Sequence, residues 1–429
     1  MSLESAIWVL LLVSLALGVP IYIALGLATF IVLTTTNIPL TLIPQTLYTG
    51  PDQFPLVAIP AFILAGALME RGGIAQEIVQ VMSKLVGRFR GGLAMVTVAA
   101  CAFFSAISGS GPATTAAIGS LMIPSMVKRG YKPADAGAVS ASGGTLGIMI
   151  PPSNPMIIYG VIGNVSIVSL FIAGVLPGIM LSFIFMLTAY IIARKKGYGG
   201  RTEERFDPAD FLRTCWNAKW SLLTPALILG GIYSGAFTPV EASIVAVVYS
   251  LLVGVGIKRE LGFSSVVDSL QQAITISGSV IIIIGTSTLF GRVLTMYQVP
   301  LRLGELLAGI SDNAIVILLL ITAVLIFLGM FMETLSTIII LTPILLPVVR
   351  SLGVDPIHFG IIFVVTNEMA FLTPPLGVNL FVVCGLTNRS LEEIFRAVFP
   401  YIVALLIGML VLIFVPEISL LLPRLLTGK

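Results

Sequence analysis

Hydroxyl side chains beside glycine, and prolines inside apolar runs, interrupt this 429-residue chain at four places. The first is Ser108-Gly109-Ser110-Gly111-Pro112-Ala113-Thr114-Thr115. The second is Gly143-Gly144-Thr145-Leu146-Gly147, followed by Pro151-Pro152-Ser153-Asn154-Pro155. The third runs from Gly329 to Thr337 through Glu333, Thr334 and Ser336. The fourth is Thr366-Asn367-Glu368, followed by Thr373-Pro374-Pro375-Leu376-Gly377-Val378-Asn379. A proline within a helix removes a backbone donor and frees a carbonyl. Freed carbonyls beside Ser and Thr hydroxyls make a hard oxygen cage, which suits Na+. The helix starts that follow offer unpaired N–H groups and partial positive charge, which suit a carboxylate. Any one of these strings would also serve to kink packed helices. Four of them at matching positions favour a site.

The surroundings are those of a membrane. Hydrophobic residues make up 57% of the chain and charged residues 10%, with a mean hydropathy of +1.08. A soluble domain carries about 25% charge. Apolar runs reach the ~20 residues that span a bilayer many times over. They lie at 5–18, 20–36, 56–70, 92–108, 112–127, 137–163, 167–193, 217–235, 237–257, 273–291, 313–332, 334–349, 359–387 and 397–422. Unpaired backbone costs several kcal/mol per group in hydrocarbon, so breaks survive only where protein, water or an ion satisfies them. The N-terminus bears Glu4, no basic stretch and no small-residue cleavage site, which reads as a retained span and not a signal peptide. A net charge of +3 gives no reason to expect nucleic acid.

Basic residues mark the cytoplasmic side. Lys84, Arg88 and Arg90 precede 92–108, and Lys128, Arg129 and Lys132 follow 112–127. The stretch 194–219 holds Arg194, Lys195, Lys196, Arg201, Arg205, Arg213 and Lys219. Lys258 and Arg259 follow 237–257, and Arg389 and Arg396 follow 359–387. Stretches 37–55 and 163–166 have no Lys or Arg, so they read as periplasmic. One alternating path from a periplasmic N-terminus satisfies all of this. In it, 92–108 and 112–127 leave from and return to the same side. Each arm is about 16 residues, or ~24 Å of helix, short of a ~30 Å core. A re-entrant hairpin follows; two short full spans with a tight turn would also fit the lengths.

The two halves match. At an offset of 223, Thr114 aligns with Thr337, Pro124 with Pro347, Gly130 with Gly353, Pro133 with Pro356, and Pro151-Pro152 with Pro374-Pro375. At an offset of 219, Pro20 aligns with Pro239 and Gly66 with Gly285. Segment 5–18 runs inward and 217–235 outward, so the repeats are inverted, a common plan for secondary transporters. The first repeat is 1–198 (hairpin about 92–127, broken helix 137–163). A cytoplasmic loop at 199–216 joins it to the second, 217–429 (hairpin about 313–349, broken helix 359–387). The second hairpin should open to the periplasm.

Charges within the spans are functional suspects. Glu333 and Glu368 fall at the third and fourth breaks, where they would bind a cation or proton, or simply be solvated at the interface. Glu241 and Arg292 lie near span ends and are expected to pair or snorkel. His358, the sole histidine, is expected in a loop with no role. Cys101, Cys215 and Cys384 lack CxxC spacing and read as free thiols.

The strings Gly109 to Thr115 and Gly143 to Asn154, with Gly235-Ala236-Phe237-Thr238-Pro239-Val240-Glu241-Ala242, resemble the large membrane subunit of tripartite ATP-independent periplasmic (TRAP) transporters over nearly the whole chain. The resemblance implies a Na+-coupled elevator importer of organic acids in a bacterial inner membrane. Its partners would be a separate small four-helix membrane subunit and a periplasmic substrate-binding protein. It also implies kinship with divalent-anion/sodium symporters, which hold Na+ between a hairpin tip and a broken helix in each repeat. One Na+ is then expected between Ser105/Ser108 and the break at Gly147, Ile150 and Pro152. A second is expected near Gly329, Thr366, Met369 and Thr373. Substrate carboxylate is expected between them, against half-helix starts at Thr114 and Thr337, with Ser110, Gly111, Pro112, Thr115, Ser153, Asn154, Thr334, Ser336, Pro375 and Asn379 as the lining. With no Lys or Arg in the four breaks, bound cations and helix dipoles would neutralise the anion. C4-dicarboxylates and sialic acids both fit the resemblance.

Two other function classes fit the sequence less well. An intramembrane enzyme lacks its residues, since GxSG, GxGD and HExxH are absent and there is one histidine. A channel or scaffold has no need of paired hairpins with matched breaks. The expected fold is an all-α polytopic membrane protein with two inverted repeats, each with a re-entrant helical hairpin and a broken helix, of the elevator type.

Overall fold

Proline and glycine set the helix boundaries of this chain. The computed structural model describes residues 10–427 except Leu12, Leu15, Ala16, Asn37, Arg90, 199–206 and Asp312. Most of the apolar run 5–18 thus lies outside the described residues. Among the described residues there are twenty α-helices and no strand. The first half contains α1 (Ile21–Thr35), α2 (Leu42–Thr49), α3 (Ala58–Arg71), α4 (Ile74–Val86), α5 (Gly92–Ser108), α6 (Gly111–Lys128), α7 (Pro133–Thr145), α8 (Asn154–Gly163) and α9 (Ile167–Lys196). The second contains α10 (Pro208–Asn217), α11 (Lys219–Tyr233), α12 (Pro239–Leu251), α13 (Phe263–Met296), α14 (Val299–Ala308), α15 (Ala314–Gly329), α16 (Thr334–Ser351), α17 (Pro356–Leu372), α18 (Val378–Thr387), α19 (Leu391–Phe414) and α20 (Glu417–Thr427).

The sequence order of hairpin, broken helix and long helix occurs twice. The hairpins are α5/α6 and α15/α16, with arms of 16 to 18 residues. The broken helices are α7/α8 and α17/α18. Both Pro151-Pro152 and Pro374-Pro375 are cis and lie inside the breaks. Pro112, Pro133, Pro155, Pro239 and Pro356 each fall in the first turn of a helix, where the missing N–H has no partner to lose.

Several expectations need correction. Thr366-Asn367-Glu368 does not break its helix, which runs through to Leu372. Thr366 Oγ1 donates to the Ile362 carbonyl (2.8 Å) and Asn367 Nδ2 to the Phe363 carbonyl (2.9 Å), so these polar groups are satisfied within the helix. The first broken helix likewise continues through Gly143 and Gly144 to Thr145, then tightens into a 3-10 turn at Leu146–Ile148. His358 is not in a loop. It lies in the first turn of α17, 2% exposed, with Nδ1 3.3 Å from Ser419 Oγ. The expected span 397–422 is two helices, α19 and α20, which part at Val415-Pro416. Span 273–291 lies within a longer helix, α13, of 34 residues. The expected loop 199–216 contains most of α10. Glu241 pairs with no base among the described residues; it closes a capping box with Thr238 at the start of α12.

Two packing groups result. Helices α1, α2, α3, α12 and α13 contact one another as a framework. Helices α5 to α9 and α15 to α20 form a second body around the hairpins and breaks. Its core includes Tyr159, Phe359 and Phe363, whose rings meet at centroid distances of 5.7 to 6.4 Å. Tyr159 Oη also donates to the Pro356 carbonyl at 2.7 Å, tying α8 to the start of α17.

Candidate functional site

Each hairpin tip sits on a break. At the first, Gly109 ends α5 with φ +59°, a conformation that disfavours any side chain. A Cβ there would stand 2.8 Å from the Pro152 carbonyl oxygen. A Cβ on Gly147 would overlap the Ser110 carbonyl oxygen and the Gly111 nitrogen. The α5/α6 tip is therefore pressed onto the backbone of the α7/α8 break. At the second, a Cβ on Gly329 would stand 2.9 Å from Ala370 Cβ, and the Leu376 N–H donates to the Met330 carbonyl at 3.1 Å.

The expected ion ligands fall around these two contacts. Ser105 and Ser108 are buried. Ser105 Oγ donates to the Cys101 carbonyl at 2.6 Å, and Ser108 Oγ lies 2.7 Å from Thr114 Oγ1. Helix α5 packs on the 3-10 turn that holds Gly147, with Ile150 and Pro152 just beyond. At the second contact, Gly329 ends α15, and Thr373 caps α17 with Oγ1 on the Met369 carbonyl at 2.6 Å. Thr366 Oγ1 donates to the Ile362 carbonyl of its own helix (2.8 Å) and lies 3.8 Å from Met409 Sδ in α19.

A cavity of about 180 Å³ lies between the two tips. Ser108 to Ala113 line it from the first hairpin and Glu333, Thr334 and Leu335 from the second. Asn154 and Pro155 enter from one break, Phe371 and Val378 from the other. The framework contributes Gly66 and Glu70 from α3 with Gln272 and Ile276 from α13. Of the expected substrate residues, Ser110, Gly111, Pro112, Asn154 and Thr334 line the cavity. Thr114, Thr115, Ser153, Ser336, Thr337, Pro375 and Asn379 do not. Thr115 Oγ1 donates to the Gly111 carbonyl (2.9 Å), Thr337 Oγ1 to the Glu333 carbonyl (3.0 Å), and Ser153 Oγ to the Ile148 carbonyl (2.5 Å). Asn379 faces α7 instead, with Nδ2 on the Ala141 carbonyl at 3.0 Å.

The half-helix starts also differ from the expected Thr114 and Thr337. They are Gly111 and Thr334, preceded by Ser110 and Glu333. The two are not equivalent. Glu333 Oε2 accepts from the Leu335 N–H (3.0 Å) and the Ser336 N–H (3.2 Å), so its own carboxylate occupies the anion position of α16. The start of α6 has no side-chain cap and faces the cavity. An incoming carboxylate thus meets the first-turn N–H groups of Gly111 and Ala113, Pro112 having none, and an occupied helix start at Thr334. Glu70 went unnoticed in the sequence because it ends an ordinary span. In the structure it lies one turn beyond Gly66, which sits against Ser108: a Cβ there would be 3.2 Å from Ser108 Cα.

Outside this region, a larger cavity of about 780 Å³ lies between α13, the α2 region, α8 and α16. Arg292 lines it and donates to Thr46 Oγ1 at 3.1 Å. The three cysteines are free thiols.

A family model described as "Tripartite ATP-independent periplasmic transporter, DctM component" matches residues 8–418. The chain belongs to this family. It is 40% identical to the C4-dicarboxylate TRAP transporter large permease protein DctM of Pseudomonas aeruginosa, over 88% of each protein. It is 36% identical to the sialic acid TRAP transporter large permease protein SiaM of Vibrio cholerae, over 95% of this chain and 94% of that one. With the isethionate TRAP transporter permease protein DctMQ of Oleidesulfovibrio alaskensis it shares 43% identity over 94% of this chain, which spans 64% of that longer protein. A solved structure of the Alcanivorax borkumensis YdaH transporter has the same fold, with a TM-score of 0.65 at 15% identity over 87% of this chain and 86% of that one. Family and fold make this TRAP large permease a multi-pass membrane protein, and six described helices are long and apolar enough to cross a bilayer.

Proposed function

We propose that this permease imports an organic carboxylate across a bacterial inner membrane, coupled to Na+ and delivered by a periplasmic substrate-binding protein. A separate small four-helix subunit would complete the membrane complex. The chain is not an enzyme in this reading; it binds and moves its substrate unchanged. The observation that carries it is the cavity between the hairpin tips. Its lining has the uncapped start of α6 but no Lys or Arg, and two carboxylates, Glu70 and Glu333, face the same space. Burying an unpaired anion there is prohibitive. Mobile cations must therefore enter with it. The oxygen-rich contacts at the two tips are their natural places: Ser105, Ser108, Gly147, Ile150 and Pro152 on one side, and Gly329, Thr366, Met369 and Thr373 on the other. The relatives named for C4-dicarboxylate, sialic acid and isethionate support a small organic anion as the substrate class.

In this mechanism Na+ binds first and draws each tip onto its break. The paired positive charge and the α6 start then hold the anion. The body of hairpins and broken helices, the two halves related as inverted repeats divided near 199–216, moves as an elevator against the framework of α1 to α3, α12 and α13. Gly66 allows α3 to lie close against the first tip while sliding.

Uptake into proteoliposomes tests this, with the chain, its small subunit and candidate binding proteins loaded with radiolabelled anions. The expected result is uptake that needs both an inward Na+ gradient and a loaded binding protein. Equal uptake of free anion in Na+-free buffer without a binding protein would overturn it.

A further inference from the structure

A second polar locus lies inside the moving body, away from the cavity. Glu368 sits one turn before the end of α17 with 0% exposure, and no described residue forms an ion pair with it. One carboxylate oxygen, Oε2, lies 3.3 Å from Thr145 Oγ1; the other, Oε1, has no partner. The single Thr145 hydroxyl proton is also within reach of the Ser142 carbonyl, at 2.8 Å, the shorter of the two contacts. One proton cannot serve both acceptors.

The surrounding elements bring more unpaired oxygen. Ser142 Oγ and Asn379 Oδ1 are fully buried and without partners. Asn379 is held on α7 by its Nδ2 bond to the Ala141 carbonyl. Ala141 and Thr145 are four residues apart, so they share one face of α7 on successive turns. Asn379 and Glu368 therefore reach that face side by side, with Ser142 adjoining. Helices α7, α17 and α18 contact one another pairwise. Residues 142 to 145 are also the last turn of α7, where the helix dipole is negative and favours a cation.

Two orphaned oxygens and a carboxylate with no ion-pair partner, all in one dry place, are a large electrostatic cost unless a positive charge is shared among them. We propose that Glu368, Thr145, Ser142 and Asn379 form a third cation site, specific for a monovalent alkali ion and separate from the two hairpin-tip sites. The donor set is all hard oxygen with a single formal charge. Among the described residues no group of three His, Cys, Asp or Glu could hold a metal, which argues against a divalent ion. Naming the ion as Na+ rests on the Na+-coupled reading above; the site itself does not. Because the site joins the first-half helix α7 to α17 and α18 of the second half, an ion here would lock the two halves of the moving body together. It would do so without touching substrate.

Equilibrium binding of ²²Na+ to the purified full-length chain with its small subunit, in lipid nanodiscs and without substrate, tests the proposal. Gln is the isostere of a protonated Glu, so Glu368→Gln separates the two states of this side chain. The expected result is one fewer bound ion per chain in Glu368→Gln, with the remaining ions bound as in the wild type. An equal number of ions in both proteins would show a protonated carboxyl and overturn the site. Should Glu368→Gln fail to fold, Thr145→Val removes one oxygen at constant shape and should weaken one ion about tenfold or more. No change in any ion's affinity there would count against the proposal equally. A wild type that binds no ²²Na+ would overturn the Na+ reading. Repeating the count with ⁸⁶Rb+ then decides this site alone: one ion lost in the variant sustains it, and none bound refutes it.

Discussion

Replacing Gly109 with alanine isolates the contact between the first hairpin tip and its break. The residue has φ +59°, and a Cβ would stand 2.8 Å from the Pro152 carbonyl oxygen and 3.7 Å from Asn154 Nδ2. A left-handed backbone costs alanine about 1–2 kcal/mol. Forcing an extra methyl into a filled space costs about 1–3 kcal/mol more. Gly130 supplies the control. It has φ +87°, at the far end of α6, with nothing within 4 Å of a Cβ. Gly130→Ala therefore carries the backbone term without the overlap, and the difference between the variants is the overlap alone. The overlap can be relieved only by lifting the tip from the break at Pro152. If Na+ binding requires that contact closed, Gly109→Ala should raise the Na+ concentration for half-maximal uptake by about 5-fold to about 150-fold relative to Gly130→Ala. Uptake into proteoliposomes across a Na+ series gives this ratio, and a melting curve in detergent shows whether each variant folds. Equal Na+ dependence in two folded variants would refute the claim that the ion is held where tip and break meet.

Uptake should depend sigmoidally on Na+, and Ser108→Ala and Thr373→Val should each lower the Hill coefficient; wild-type affinity and cooperativity in both would move the ion sites elsewhere. In a background without Cys101, Cys215 and Cys384, a cysteine at Lys128 should label from the cytoplasm and one at Arg350 from the periplasm. Labelling of both from one side would dismiss the inverted repeat. Glu333 caps α16 through two backbone N–H groups, so Glu333→Ala should lower stability by about 1 kcal/mol. Glu333→Asp, which keeps a capping carboxylate, should lose less than half of that in chemical denaturation.

Much of the fold was legible because membrane insertion is a one-dimensional property. Apolar length decides whether a segment spans, and a run such as 92–108 matches α5 residue for residue. The tips were legible for a local reason: glycine and proline limit the backbone wherever they occur, so Ser108 to Pro112 announced a turn without any knowledge of its neighbours. What misled was polarity inside a helix. Thr366 and Asn367 read as a break, yet each donates to a carbonyl one turn back and the helix continues through them. The short helices α2, α4, α10 and α14 escaped notice because they are not long apolar runs, and α4 and α14 are amphipathic.

By itself the sequence determined the membrane class, the two hairpins, the prolines of both breaks and a twofold internal pattern. The first three follow from residues near one another in the chain, and the pattern from comparing two stretches of chain without regard to packing. Tertiary structure alone decided which side of each helix faces which partner. That choice turned Asn379 from the cavity to α7, brought Glu70 of α3 to the hairpin tips and set Glu368 of α17 against Thr145, 223 residues away. It also made the two half-helix starts unequal, since Glu333 folds back on α16 while Ser110 leaves α6 open. The physical reason is that a helix fixes the angular spacing of its side chains, but only packing against distant segments fixes its rotation. On that rotation depends whether a polar group meets a cavity, an ion or another helix.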